Sequence, residues 1–154
     1  MHETVERRLV EAGFSLPAAP TALGLYVPAT RAETIVFTAG QLPLTNSALV
    51  TTGRVGGAVD VDVAKRCAAV CALNALAAAS TVCDLDDVVA VLRLTGFVAS
   101  ACGFTRQPAV IDGASEVLSA AFPDLGGHAR EAIGVAELPL GVPVEVSLVL
   151  SVRP

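Results

Sequence analysis

The sequence predicts an α+β fold: one mixed β-sheet with two helices packed on one face, and a short helix ahead of it. Three observations carry this expectation. Helix-like and strand-like segments interleave in the order helix, two strands, helix, strand, helix, two strands. Near the C-terminus the pattern alternates as a strand requires, with Val144, Val146, Leu148 and Leu150 facing one way and Glu145, Ser147, Val149 and Ser151 the other. Between Arg66 and Asp84 no residue is charged, which suits an Ala-rich helix buried in a core.

The elements follow in order. "ETVERRLVEAGF" places Val5, Leu9 and Ala12 at helical spacing, and Gly13 is a natural stop. "SLPAAPTALG" breaks the pattern with two prolines and reads as a linker. Ile35, Val36 and Phe37 form an apolar run bounded by polar residues, expected as a buried strand, with Tyr26 on an earlier paired strand. "TNSALVTTGRVGGAV" reads as a loop, and its glycines lack the spacing of a dinucleotide fingerprint. Asp60 or Asp62 can cap a helix on which Val63, Cys67, Val70, Cys71, Asn74 and Ala78 share a side. "DLDDVVAVLRLTGFVAS" supplies a β-branched third strand after an acidic turn at Asp84, Asp86 and Asp87. "PAVIDGASEVLSAAF" is a second core helix, opened by Pro108. Two last strands are expected on either side of the turn residues "LPLG".

With 154 residues the chain suits a single domain, 1–154, in which 1–15 form an N-terminal helical extension. Hydrophobic residues make up 53% and charged residues 16%, a globular balance rather than a disordered one. The net charge is −5 and only one of the ten basic residues is Lys; no basic stripe exists to meet phosphates, which argues against a nucleic-acid partner. The uncharged run is shorter than the ~20 residues of a membrane span and is interrupted by Asn74, Ser80 and Thr81, so no membrane partner is expected. The N-terminus is charged and lacks an apolar signal core, so a cytoplasmic location with reduced thiols is expected. Cys67, Cys71, Cys83 and Cys102 have neither a CxxC nor any regular metal spacing, so no metal and no cofactor are expected. If the helices cover one sheet face, the other is too apolar to stay wet, and a homo-oligomer would bury it.

The candidate chemistry lies near the C-terminus. His128 and Arg130, two apart on an expected strand, project to one face. The guanidinium fork matches a carboxylate bidentately. Glu145, on what reads as the partner strand, can position a water or carry a proton. The alternative is a wet ion pair of Arg130 with Glu131 or Glu145.

"YVPATRAETIVFTAGQLPL", "GRVGG", "LTGFVAS" and "HAREAIGVAELPLGVPVEV" together resemble the RidA/YjgF family, and in particular a subgroup with an N-terminal helix and this C-terminal ending. The resemblance implies a chorismate-mutase-like fold of the bacillus type and a homotrimer with sites in the clefts between subunits. It implies hydrolysis of reactive enamines or imines such as 2-aminoacrylate to keto acids and ammonia. By the same resemblance Arg130 grips the small carboxylate ligand, Glu145 handles water, Tyr26 is the aromatic residue at the cleft, and Gly40 turns its backbone to the ligand. His128 stands where many relatives have proline and can assist proton transfer. The chain departs from the family pattern at Ala132, where a cysteine is usual, at Ala39, usually Ser or Thr, and at Asp112, where an asparagine is expected. A buried acid at Asp112 would oppose an anionic substrate unless it points elsewhere or is protonated. Three activities are compatible with these features: an imine or enamine deaminase, a non-catalytic binder of small carboxylates, and, least in keeping with the charge, a ribonuclease.

Overall fold

The computed structural model describes residues 4–125 and 127–154. Helix α1 (Val5–Glu11) is capped by Thr4, whose hydroxyl accepts the Arg7 N–H, and Gly13 ends it at φ +84, a left-handed position that favours glycine. Its first N–H, from Val5, donates to Asp86 Oδ1 at 2.8 Å. Asp84 caps the 3₁₀ turn Leu85–Asp87, and Asp87 pairs with Arg153. The acidic cluster therefore fastens the N-terminal helix and the end of the chain to the sheet.

Strands β1 (Ala29–Ala32) and β2 (Ile35–Thr38) form an antiparallel hairpin. Tyr26 precedes β1 by three residues and is not on a strand; Pro28, between them, has no N–H for a ladder. Of the expected buried run only Val36 is buried, and Phe37 is half exposed on the opposite face. The expected loop holds a small hairpin of β3 (Leu44–Thr45) and β4 (Ala48–Leu49), turned by Asn46 and Ser47 at positive φ.

Asp60 caps α2 (Val61–Ala79), accepting the Val63 N–H at 2.8 Å. Its small side chains are buried around more of the circumference than one stripe: Ala64, Ala68, Ala72 and Ala75 join Cys67, Cys71 and Asn74 inside. Strand β5 (Val88–Ala99) and helix α3 (Gln107–Ala121) follow, then β6 (Ala129–Val135) and β7 (Val144–Val152).

The five-stranded sheet runs β1-β2-β7-β5-β6. The last strand is thus inserted near the centre, antiparallel to both β2 and β5. β6 and β7 are not a hairpin, as "LPLG" suggested. They flank β5; β6 pairs with it in parallel, which the crossover through α3 permits, and Pro139–Gly141 form a 3₁₀ turn in the connection. Val144, Val146, Leu148, Leu150 and Val152 are buried on the face that α2 packs against, as the alternation required. Phe37, Phe97, Ile133 and Val149 lie on the other face, where no helix among the described residues covers them. Among the described residues no helix is long and apolar enough to cross a membrane.

Candidate functional site

The expected site residues fall into two groups on opposite faces of the sheet. Glu145 pairs with Phe97 of β5 and projects with Ser147 and Val149 away from the helices. The β2–β7 ladder stops at Phe37, where Thr38 Oγ1 takes over as the acceptor of the Leu148 N–H at 2.9 Å. Pairing resumes at Gln41, whose N–H donates to Val146 O at 2.8 Å and whose carbonyl accepts the Val146 N–H at 3.1 Å. This detour carries Gly40 against Glu145, and a Cβ there would collide with the carboxyl. Ala39 offers only its backbone: its N–H donates to Pro28 O and its carbonyl accepts from Gln41 Nε2.

Tyr26 closes the other side, its hydroxyl accepting the Leu23 N–H at 3.2 Å. Tyr26, Gly40 and Glu145 line a cavity of about 130 Å³ whose remaining walls include Leu23, Leu42, Leu44 and Pro139. Apolar walls with a few converging polar groups are the usual make-up of a small-molecule site. Burial pushes the Glu145 carboxyl above the ordinary carboxylate range, so it holds a proton more readily than a free side chain.

The second group lies on the helix side. Arg130 on edge strand β6 pairs with Leu94, which faces the helices, and so reaches α3. Its Nη1 donates to Asp112 Oδ1 at 2.7 Å and to Ser115 Oγ at 3.2 Å. Ser115 Oγ is also 3.0 Å from His128 Nε2. His128 lies one residue before β6, yet it reaches the same serine as Arg130, as their spacing required. Burial, and then the Arg130 cation, lower the His128 pKa below its ordinary value. Arg130 donates to the serine oxygen, and the direction of the Ser115–His128 hydrogen bond follows the imidazole tautomer. Both Arg130 contacts use Nη1, so the Nη2–Nε edge of the fork takes no part in them.

Neither ion pair considered for Arg130 forms. Glu131 pairs with Thr95 on the opposite face, and Glu145 lies across β5. The partner is Asp112, which is exposed rather than buried; its side chain retains 53% of its surface, against 26% for Arg130. Ser115 was not among the expected residues. The signal for it was its i, i+3 spacing from Asp112 on a helix opposite the strand carrying Arg130. Ala132, two residues past Arg130, packs against the core and brings no thiol. Cys67 and Cys71 are buried on α2, and burial pushes the Cys67 thiol up to about 11, far from a neutral-pH nucleophile.

A mixed sheet with α2 and α3 on one face and β7 inserted between β2 and β5 is the chorismate-mutase-like α+β architecture. The sequence profile described as YjgF/chorismate mutase-like, putative endoribonuclease, matches residues 6–151, and the chain belongs to that family. It is 35% identical to Protein TCP17 of Trypanosoma cruzi over 97% of this chain and 94% of that one. The crystal structure of Atu1372, a protein of unknown function from Agrobacterium tumefaciens, superposes with a TM-score of 0.87 at 40% identity, covering 97% of this chain and 92% of that one. E. coli TdcF, solved with bound serine, gives a TM-score of 0.60 at 25% identity over 88% and 94% of the two chains.

Proposed function

We propose that this chain is a cytoplasmic homotrimeric hydrolase of small reactive enamine and imine carboxylates, working in clefts between subunits. One observation supports the reading: Arg130 and Glu145 lie on opposite faces of one sheet, with Arg130 on its edge strand. A second copy that docks edge to face would unite Arg130 of one protomer with Glu145, Gly40 and Tyr26 of its neighbour. The serine bound to TdcF is a ligand of the expected kind, a small molecule with a carboxylate and a nitrogen on one carbon.

In this reading Arg130 holds the substrate carboxylate through its Nη2–Nε edge. Glu145 takes a proton from water as the oxygen bonds to the imine carbon, the C=N electron pair moves to nitrogen, and Glu145 returns that proton to the nitrogen. The carbinolamine then collapses: its hydroxyl proton passes by way of Glu145 to the amino nitrogen, the C–N bond breaks, ammonia leaves with that electron pair, and the keto group forms. The raised Glu145 pKa moves the acid limb of the rate above the ordinary carboxylate range, because the base must be ionised to act.

The test generates 2-imino acids with an amino-acid oxidase, traps them with semicarbazide and follows the loss of trapped product. Arg130→Ala and Glu145→Ala should each lose at least about 100-fold in kcat/KM, as removal of a binding charge or a proton-transfer group does. Full activity in both variants overturns the assignment.

Asp112 on Arg130, together with Ala39 and Ala132, favours one competing reading, a non-catalytic binder of small carboxylates. That reading requires Arg130-dependent thermal stabilisation by keto or amino acids without turnover. With a net charge of −5 and dispersed arginines, a ribonuclease is the weakest fit.

A further inference from the structure

The cavity that holds Glu145 adjoins a second, larger one of about 380 Å³. The two share a wall of five residues: Pro20, Thr21, Leu23, Gln41 and Leu44. Part of that divider is anchored by a residue that itself lines the second chamber. Asn74, a buried polar residue in an otherwise apolar stretch of α2, donates through Nδ2 to Leu42 O and Leu44 O, both at 3.0 Å. The opposite wall is the Pro139–Gly141 turn, in which Pro139 lines the first chamber and Leu140 the second. Leu140 is held at φ 59, a conformation that bulky L-residues rarely adopt, and it is exposed. Backbone held in such regions gathers at ligand walls.

Size sets the division of labour. An apolar cavity of about 150 Å³ holds one benzene ring, about six heavy atoms. The first chamber, at about 130 Å³, is therefore filled by the reacting head of an imino acid and little more. Any longer side chain must pass the shared wall. The second chamber offers it the apolar Pro17, Ala18, Ala19, Leu49 and Leu140, with Asn46, Ser47 and Asn74 as polar parts of the wall.

We propose that the second chamber takes the substrate's side chain, so that the preferred substrates are enamine or imine carboxylates with an aliphatic chain longer than ethyl. This rests on the hydrolase reading for the head group. The experiment measures kcat/KM for the 2-imino acids derived from alanine, 2-aminobutanoate, norvaline and norleucine. In parallel, calorimetry measures binding of the saturated carboxylates butanoate, hexanoate and octanoate.

Each added methylene that reaches the chamber should raise kcat/KM, and carboxylate affinity, by about fourfold. Ala18→Phe and Ala19→Phe, at exposed linker positions where folding is not at stake, fill the chamber and should flatten both series. Hydrolysis that is flat or falls with chain length overturns the inference and leaves the hydrolase assignment standing. Affinity that climbs with chain length and flattens in Ala19→Phe, without any hydrolysis, supports the side-chain chamber and overturns the hydrolase assignment. A climbing series untouched by both variants also overturns the inference, because the gain then arises elsewhere.

Discussion

A single hydroxyl, that of Ser115, joins His128 and Arg130, and through Arg130 the charge of Asp112. The stability of this cluster should depend on pH through His128. Its folded pKa is lowered, so the folded state binds fewer protons than the unfolded chain over this range. The associated stability is complete above the ordinary imidazole value of about 6.5 and is lost as pH falls through the lower folded value. Melting curves of wild type and His128→Gln between pH 8 and pH 5 should diverge on the acid side, with the wild type losing more. Parallel curves would show that His128 does not couple to folding. At this scale the sequence was partly legible. The two-residue spacing correctly put His128 and Arg130 on one face. It could not pair Arg130 with Asp112, because that contact depends on which helix crosses behind β6. Ser115 was hidden because an isolated helical serine is ordinary.

At the scale of elements, the fit of α3 on α2 depends on having no side chain at Gly113. A Cβ there would run into the backbone carbonyl of Lys65, which cannot swing aside as a side chain can. Gly113→Ala gains helix propensity but forces the helices apart, and overpacking of this kind costs about 1–3 kcal/mol. The melting temperature should fall by about 2–4 °C for each kcal/mol lost in a chain of this size. An unchanged or raised value would mean that the two helices slide freely. Periodicity made α2, α3, β5 and β7 legible in the sequence. Strand order was not, since turn residues between β6 and β7 look the same whether the strands pair or flank a third. The strand–helix–strand run from β5 through α3 to β6 held the clue, because such a crossover favours a parallel pair. The β3–β4 hairpin escaped notice because two-residue strands have no period to detect.

On the scale of the whole molecule, the uncovered sheet face carries Phe37 beside Val149, and Ile133 beside Phe97. The proposed trimer would bury these residues, and Phe37→Glu should therefore yield monomers by sedimentation. The same variant should lose hydrolysis although Arg130 and Glu145 remain in place. A fully assembled Phe37→Glu protein would assign the interface to another surface. Alternation along β7 separated the two faces, but β7 itself puts Glu145 and Ser147 on this one; its apolar side chains come mainly from β2, β5 and β6, and the number of copies was only an implication of the family resemblance. The placement of Arg130 and Glu145 on opposite faces of one sheet has a genetic consequence as well. If the proposed clefts form between subunits, inactive Arg130→Ala and Glu145→Ala alleles should rescue each other when co-expressed, because a cleft between unlike chains would draw its sound arginine from one and its sound glutamate from the other. Random mixing in equal amounts leaves roughly a quarter of the clefts whole. By the same arithmetic, either allele alone beside wild type leaves about half of them whole, so a heterozygote is impaired without being null.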